Sequence, residues 1–238
     1  MPDSDRMLDE IRALWRDLCA APDGFRDPLT AVGTDRHRCA PPGWLGMVSI
    51  DGTTVVAGPD RHVERLCAEL TPQVSIELTA VPMIVRRLRP TRTLGPARLF
   101  DDDVDRSPRT DAIGPVPITD PRVAGILADA TPEERDEAGF DDSGSGIFLT
   151  TDGHGRATAI CGWHEWPLRV AHVGVLTARA HRRIGAARRV ADHTLAAAAR
   201  AGLRAQWRAA TVNAPSIRLA RSLGLTDVGF QLSLKLAD

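Results

Sequence analysis

Val175-Leu176-Thr177-Ala178-Arg179-Ala180-His181-Arg182-Arg183-Ile184-Gly185-Ala186-Ala187 is the most informative stretch of the chain. It opens as the end of an apolar, β-branched strand, Val170–Thr177, and closes as the start of a helix from about Ile184 to Ala201. Gly202 stands where helices commonly stop. The N–H groups of a helix's first turn lack internal partners, and the aligned peptide dipoles leave that end partly positive. Small residues at 185–187 let an anion approach the main chain, and Arg182 and Arg183 bring formal charge to the same end. The stretch therefore reads as a pyrophosphate cradle.

Working outward, Leu203–Thr211 reads as a strand, Pro215–Leu223 as a helix ended by Gly224, and Val228–Leu236 as a final strand. Upstream, residues 112–118 look extended, and 121–139 look helical, with Pro121 a good first residue after Asp120. Ile147–Thr151 and Ala157–Trp166 are strands joined through Asp152-Gly153-His154-Gly155. The order from 112 to 238 is β-αα-β-β-β-α-β-α-β, an α+β arrangement.

The first hundred residues read as a separate small α+β module. Met7, Leu8, Ile11, Leu14, Trp15 and Leu18 form a helical stripe. Trp44–Ile50 and Thr53–Ala57 flank Asp51-Gly52, a dipeptide suited to a two-residue hairpin turn, and a helix follows at about 60–70. Acidic residues from Asp101 and spaced prolines from Pro108 to Pro121 place a linker near 101–111. The expected domains are 1–105 and 112–238. No catalytic grouping stands out in the first; its helix–hairpin–helix order is also what a degenerate copy of the second would leave.

Composition sets outer limits. A formal net charge of −1 hides an asymmetry, because Ala171–Asp238 holds eleven Arg or Lys against three Asp. An anionic ligand for that third is one reading, and solvated helix faces are the other. A nucleic-acid partner is disfavoured, since basic residues are not interleaved with aromatics and no recognition motif is present. Cys19, Cys39, Cys67 and Cys161 have no zinc-site spacing, so no metal is expected. No run reaches the roughly 18 apolar residues of a membrane span, and no signal peptide opens the chain, so a cytoplasmic location is expected.

The quoted stretch resembles the cofactor signature of the GNAT acetyltransferase superfamily, (Arg/Gln)-x-x-Gly-x-(Gly/Ala) after a strand, through Arg182-x-x-Gly185-x-Ala187. A second block, Asn213-x-x-Ser216 with Leu219, Leu223-Gly224-Leu225 and Gly229, resembles the later Asn-x-x-(Ser/Ala)…Leu-Gly-Phe block of that family. The resemblance covers about half the chain. It implies α/β/α-like layers around a mixed, mostly antiparallel sheet, and acetyl-CoA as cosubstrate. It implies that the pantetheine arm pairs with Val175, Leu176 and Thr177, and that the pyrophosphate sits on Arg182, Arg183, Ile184, Gly185, Ala186 and Ala187. It implies, too, that Asn213 and Ser216 line the cofactor from the next helix. The implied reaction moves an acetyl group to a primary amine by direct attack in a ternary complex. Acceptors range from a small amine, amino acid or antibiotic to a protein lysine or N-terminus, and a homodimer is admissible.

Two departures from the pattern matter. Arg183 stands where the family often has glycine, and a side chain there is tolerated if φ stays negative. The family's Tyr, seven residues after the Asn, is Ala220 here, and the chain contains no Tyr. A thiol's ordinary pKa of about 8.5 makes thiolate a fair leaving group, so an acid such as Ser216 or water helps without being obligatory. Glu165 and His172, on strands leading toward the loop, are the candidate bases, with His164 facing opposite to Glu165. Trp163, Trp166 and Trp207 read as packing, and Cys161 as an inert buried thiol. The rival reading is a non-catalytic acyl-CoA sensor or scaffold.

Overall fold

The computed structural model describes residues 2–70, 76–102, 113–140 and 145–237. The expected linker lies, from residue 103 onward, outside the described residues. By internal contacts the chain divides into two units. The first holds Met1–Leu99, Ala210–Asn213 and Asp227–Asp238, and the second holds Phe100–Ala209 and Ala214–Thr226.

In the first unit, helix α1 (Pro2–Leu18) buries Ile11, Leu14, Trp15 and Leu18, the apolar stripe of the sequence. Strands β1 (Leu29–Gly33), β2 (Leu45–Ile50) and β3 (Thr53–Gly58) follow. β2 and β3 are an antiparallel hairpin whose corner, Asp51 (φ 45°) and Gly52 (φ 75°), has the positive φ pair that a twisted hairpin needs. Next come α2 (Asp60–Glu69), α3 (Val81–Leu88) and β4 (Arg92–Asp101), the last of which carries the chain into the second unit. The final strand, β9 (Thr226–Lys235), pairs antiparallel with β2. Its Phe230, Leu232 and Leu234 bury with Met47, Leu66 and Ile84. This strand was read from sequence with the C-terminal half; its apolar face and its β2 partner place most of it in the first unit.

The second unit contains α4 (Pro121–Asp129), α5 (Pro132–Ala138), β5 (Ser145–Thr151), β6 (Ala157–Trp166), β7 (Val170–Thr177), α6 (Ala186–Arg200), β8 (Arg204–Ala210) and α7 (Ala214–Ser222). The sheet order is β8-β7-β6-β5, with β7 and β8 parallel and the other pairs antiparallel. Alternate strand residues serve opposite faces. Cys161, Trp163, Val173 and Trp207 pack with Val190 and Leu195 of α6 and Ala220 of α7. Ile160 and Leu176 pack with Val123 and Ile126 of α4. The fold is α+β with a mixed, mostly antiparallel sheet.

Two boundaries differ from the sequence reading. The helical stretch 121–139 is broken at Ala130, because Thr131 starts a new helix with a reciprocal capping box to Glu134, followed by Pro132. The helix expected from Ile184 starts at Ala186, because Arg183 and Gly185 both take left-handed φ.

Candidate active site

The feature that defines the site is a parting of parallel strands. β7 and β8 stay in register from Val170↔Arg204 to Val173↔Trp207, and no further. β7 nevertheless runs on to Thr177. The β7 edge from Gly174 to Thr177 therefore lies beyond the last pair with β8, although Val175, Leu176 and Thr177 remain paired with β6 on the other side. Gly174 sits under the end of α5, where an added Cβ would meet the Ala138 carbonyl oxygen at 1.9 Å.

Beyond Thr177 the chain makes one tight turn, Arg179–His181, and enters α6. His181 Nε2 lies 3.6 Å from Asp152. Arg182 is extended, and its guanidinium donates to Glu134 at 2.8 Å. Ile184 and Gly185 are exposed, and no side chain caps the N-terminus of α6. The first-turn amides of Ala186 and Ala187 thus point out of a helix end with no internal acceptor. A Cβ built on Gly185 has nothing within 4 Å, so the approach to those amides is open. An unpaired strand edge leading to an uncapped, basic helix end suits a ligand with amides along an arm and a pyrophosphate at its end.

Arg183 corrects one expectation, since its φ is +66°, not negative. The turn from strand into helix demands the left-handed region, where a side chain costs about 1–2 kcal/mol. Glycine would relieve that strain but return roughly half of it as unfolded-chain entropy. Arg183→Gly is expected to raise the thermal midpoint by about 1–3 °C in a melting scan. A fall would mean the Arg183 side chain contributes stabilising contacts.

The candidate catalytic residues do not converge. His172 lies opposite His164 in the β6–β7 register, so the two share one sheet face. Glu165 belongs to the other face, where its carboxylate accepts from Arg169 at 3.0 Å. Arg169 also donates to the Ala201 carbonyl, so the pair closes the C-terminal end of α6, where a cation is favoured. Ser216 Oγ accepts from the indole Nε1 of buried Trp207 at 3.0 Å, on the α6–α7 face. Asn213 lies in the first unit, in a turn closed by its N–H on the Ala210 carbonyl. Cys161 is fully buried, and burial pushes its thiol up to about 12.

Around His172 the structure adds residues that the sequence reading passed over. Its Nδ1 lies 2.6 Å from Gln206 Oε1, so Nδ1 donates and Nε2 keeps its lone pair. Trp166 stacks on the ring at 4.2 Å between centroids. Burial, and then the charge of Arg208, hold the imidazole down to about 3. Held down in this way, it is neutral at neutral pH. Gln206 is buried, and its Nε2 has no partner among the described residues. Arg208, next on that face of β8, feels the opposite charge of Glu137 on α5. Asp101, read as the first linker residue, is instead the buried end of β4. Its Oδ1 accepts from Arg204 at 2.6 Å, and its Oδ2 has no partner among the described residues.

Asp101 and His172 carry opposed pH dependences. Burial pushes the Asp101 carboxyl up to about 7 against the pull of Arg204, with Asp102 adding to the rise. The folded state then binds a proton more tightly than the unfolded chain does. Its contribution is full below the ordinary 3.8 and is lost as pH rises through about 7. His172 is shifted the other way; its contribution is present above 6.5 and lost as pH falls toward about 3. The two slopes oppose between about pH 4 and 6.5. Denaturant titrations across that window are expected to give a falling stability profile for His172→Gln and a rising one for Asp101→Asn. Parallel profiles for both variants would show that neither group is shifted as its burial requires.

Residues 119–225 match the acetyltransferase (GNAT) family model. Among solved structures, an acetyltransferase assigned to the GNAT family from Novosphingobium aromaticivorans is similar at 23% identity, with a TM-score of 0.50 over 63% of this chain and 68% of that one. A GNAT-family acetyltransferase from Colwellia psychrerythraea is similar at 15% identity, with a TM-score of 0.47 over 68% of this chain and 62% of that one. A GCN5-related N-acetyltransferase-like protein from Streptococcus suis is similar at 18% identity, with a TM-score of 0.42 over 81% and 84%. A search of curated proteins finds no match. The fold of the C-terminal part is that of acyl-transferring enzymes. The C-terminal part of the chain is a GNAT-family domain.

Proposed function

We propose that the chain transfers an acetyl group from acetyl-CoA to a primary amine by direct attack, with both substrates bound. The observation that carries this reading is the parting of β7 from β8 after Val173 and Trp207, immediately ahead of the uncapped end of α6. The residues present fit the cosubstrate. Val175, Leu176 and Thr177 offer an unpaired strand edge to its pantetheine arm, and the turn 182–187 offers open amides and two arginines to its pyrophosphate. When bound, acetyl-CoA supplies an acyl group activated as a thioester.

The chain's own contribution is positioning. Gln206 Oε1 accepts a hydrogen bond from the Nδ1–H of His172, leaving Nε2 as an acceptor for one N–H of the incoming amine. That bond aims the amine's lone pair, while the amine's proton goes to solvent. Ser216, held by Trp207, is the hydroxyl the later block offers beside the departing thiolate.

Three observations favour the sensor reading: Ala220, at the family's Tyr position, is sealed in the α6–α7 core, Glu165 is tied to Arg169, and burial holds the His172 imidazole down. The deciding experiment is calorimetric titration with acetyl-CoA and CoA, followed by thiol release across a panel of amines. Binding with amine-dependent thiol release supports the enzyme. Binding without release for every amine supports the sensor, and absence of binding to the folded protein overturns both.

A further inference from the structure

The first unit contains a cluster of nucleophilic side chains that acyl transfer does not use. Cys19 follows α1, and Cys39 lies in the loop before β2. Both are buried, at 0% and 3% exposure, and both are free thiols. The backbone brings them together: Arg38 N–H donates to the Leu18 carbonyl at 2.6 Å, so the next residues of each segment are neighbours. The Arg38 side chain repeats the clamp on Asp17 at 2.6 Å. Cys39 is held from two further sides. Its carbonyl accepts from Gln231, and its sulfur lies on bare β2 backbone, where a Cβ on Gly46 would come within 2.6 Å of Sγ. His37 Nδ1 lies 3.7 Å from the Cys39 sulfur, and the Cys19 thiol interacts with that sulfur from the other segment.

We propose that Cys39 and Cys19 form a peroxide-reactive dithiol, with Cys39 as the attacking sulfur, Cys19 as the resolving one and His37 as the proton carrier. The same contacts set the ionisation. The hydrogen bond from Cys19, then that from His37, hold the Cys39 thiol down against burial, while Cys19 and His37 are both pushed up. Cys39, the sulfur that His37 faces at 3.7 Å, is therefore the one placed to carry the negative charge. In the first step an electron pair of that thiolate attacks one oxygen of hydrogen peroxide. An S–O bond forms, the O–O bond breaks, and the departing hydroxide takes the His37 proton to leave as water. In the second step Cys19 gives its proton to His37 and attacks the sulfenic sulfur. The S–S bond forms, the S–O bond breaks, and the departing hydroxide takes that proton to leave as a second water. Peroxide is reduced by two electrons, and the two thiols are oxidised to one disulfide.

Cys67 supplies an internal control. It is more exposed than the pair, but burial alone pushes its thiol up and no partner group lowers it. The test treats the full chain with hydrogen peroxide near pH 7 and follows it by intact mass and peptide mapping. The expected result is a loss of about 2 Da, with Cys19 and Cys39 joined and formed about fivefold or more faster than any Cys67 product. In Cys19→Ser, Cys39 is expected to accumulate sulfenic acid that a dimedone probe captures; in the unaltered chain it is expected to escape the probe. A chain that stays unoxidised overturns the proposal. So does prior reaction at Cys67 or Cys161, or a sulfenate that persists at Cys39 with Cys19 present.

Discussion

Gly185→Glu is expected to weaken acetyl-CoA binding by about 100-fold or more while leaving the fold intact. Two local facts separate the two effects. A side chain at 185 meets no protein atom within 4 Å, so the substitution causes no clash. The residue has φ +82°, so any non-glycine carries a strain of about 1–2 kcal/mol, which a domain of ordinary stability survives. What glutamate adds is a negative charge at the helix end proposed to receive the pyrophosphate. At about 4 Å and an effective dielectric near 20, a like-charge pair costs about 4 kcal/mol, enough for the expected loss. Gly185→Ala carries the same strain without the charge and is expected to bind within a few-fold of the unaltered chain. Calorimetry on both variants, with a melting scan of each apo protein, reads the result. Unchanged binding by the glutamate variant would place the anion elsewhere and remove the main support for the cofactor loop.

The parts of this site that were legible in the sequence are those set by local rules. A strand, a turn with small residues and a helix can be read from 170 to 201, because periodicity and glycine placement report backbone shape. The hairpin at Asp51-Gly52 and the stripe of α1 were legible for the same reason. What escaped depends on pairing across the sheet. Glu165 and His172 look equivalent as strand residues near the loop. Only the register His164↔His172 places His172 with Gln206 on one face and sends Glu165 to the other. The alternation Arg204-Ala205-Gln206-Trp207-Arg208 did announce a strand with one polar face, but nothing local says that this face is buried. Asp101 misled because it opens an acidic run. Its neighbours look like a solvated linker, while its own partner, Arg204, is 103 residues away.

The second large effect is expected at the point where the strands part. Gly174→Ala is expected to cost about 3 kcal/mol and to lower the thermal midpoint by about 6–12 °C. An alanine Cβ there would lie 1.9 Å from the Ala138 carbonyl oxygen, and that oxygen is main chain, so no rotamer change relieves the clash. Either α5 lifts or β7 bends. α5 is short, and its last turn ends on Gly139 in left-handed φ, whose carbonyl receives the His164 ring. Lifting it strains that bond, and also the pair between Glu134 and Arg182 at the start of the proposed cofactor turn. A single methyl group at 174 therefore acts on both sides of the opening. Turnover and acetyl-CoA affinity are expected to fall together, and amide exchange across 132–138 is expected to rise. Gly153→Ala, in the β5–β6 turn where an added Cβ meets nothing within 4 Å, is the matched control and is expected to change neither. If Gly174→Ala melts like the unaltered chain, the close approach of α5 to β7 yields at no cost, and the width of the opening is not set by this residue.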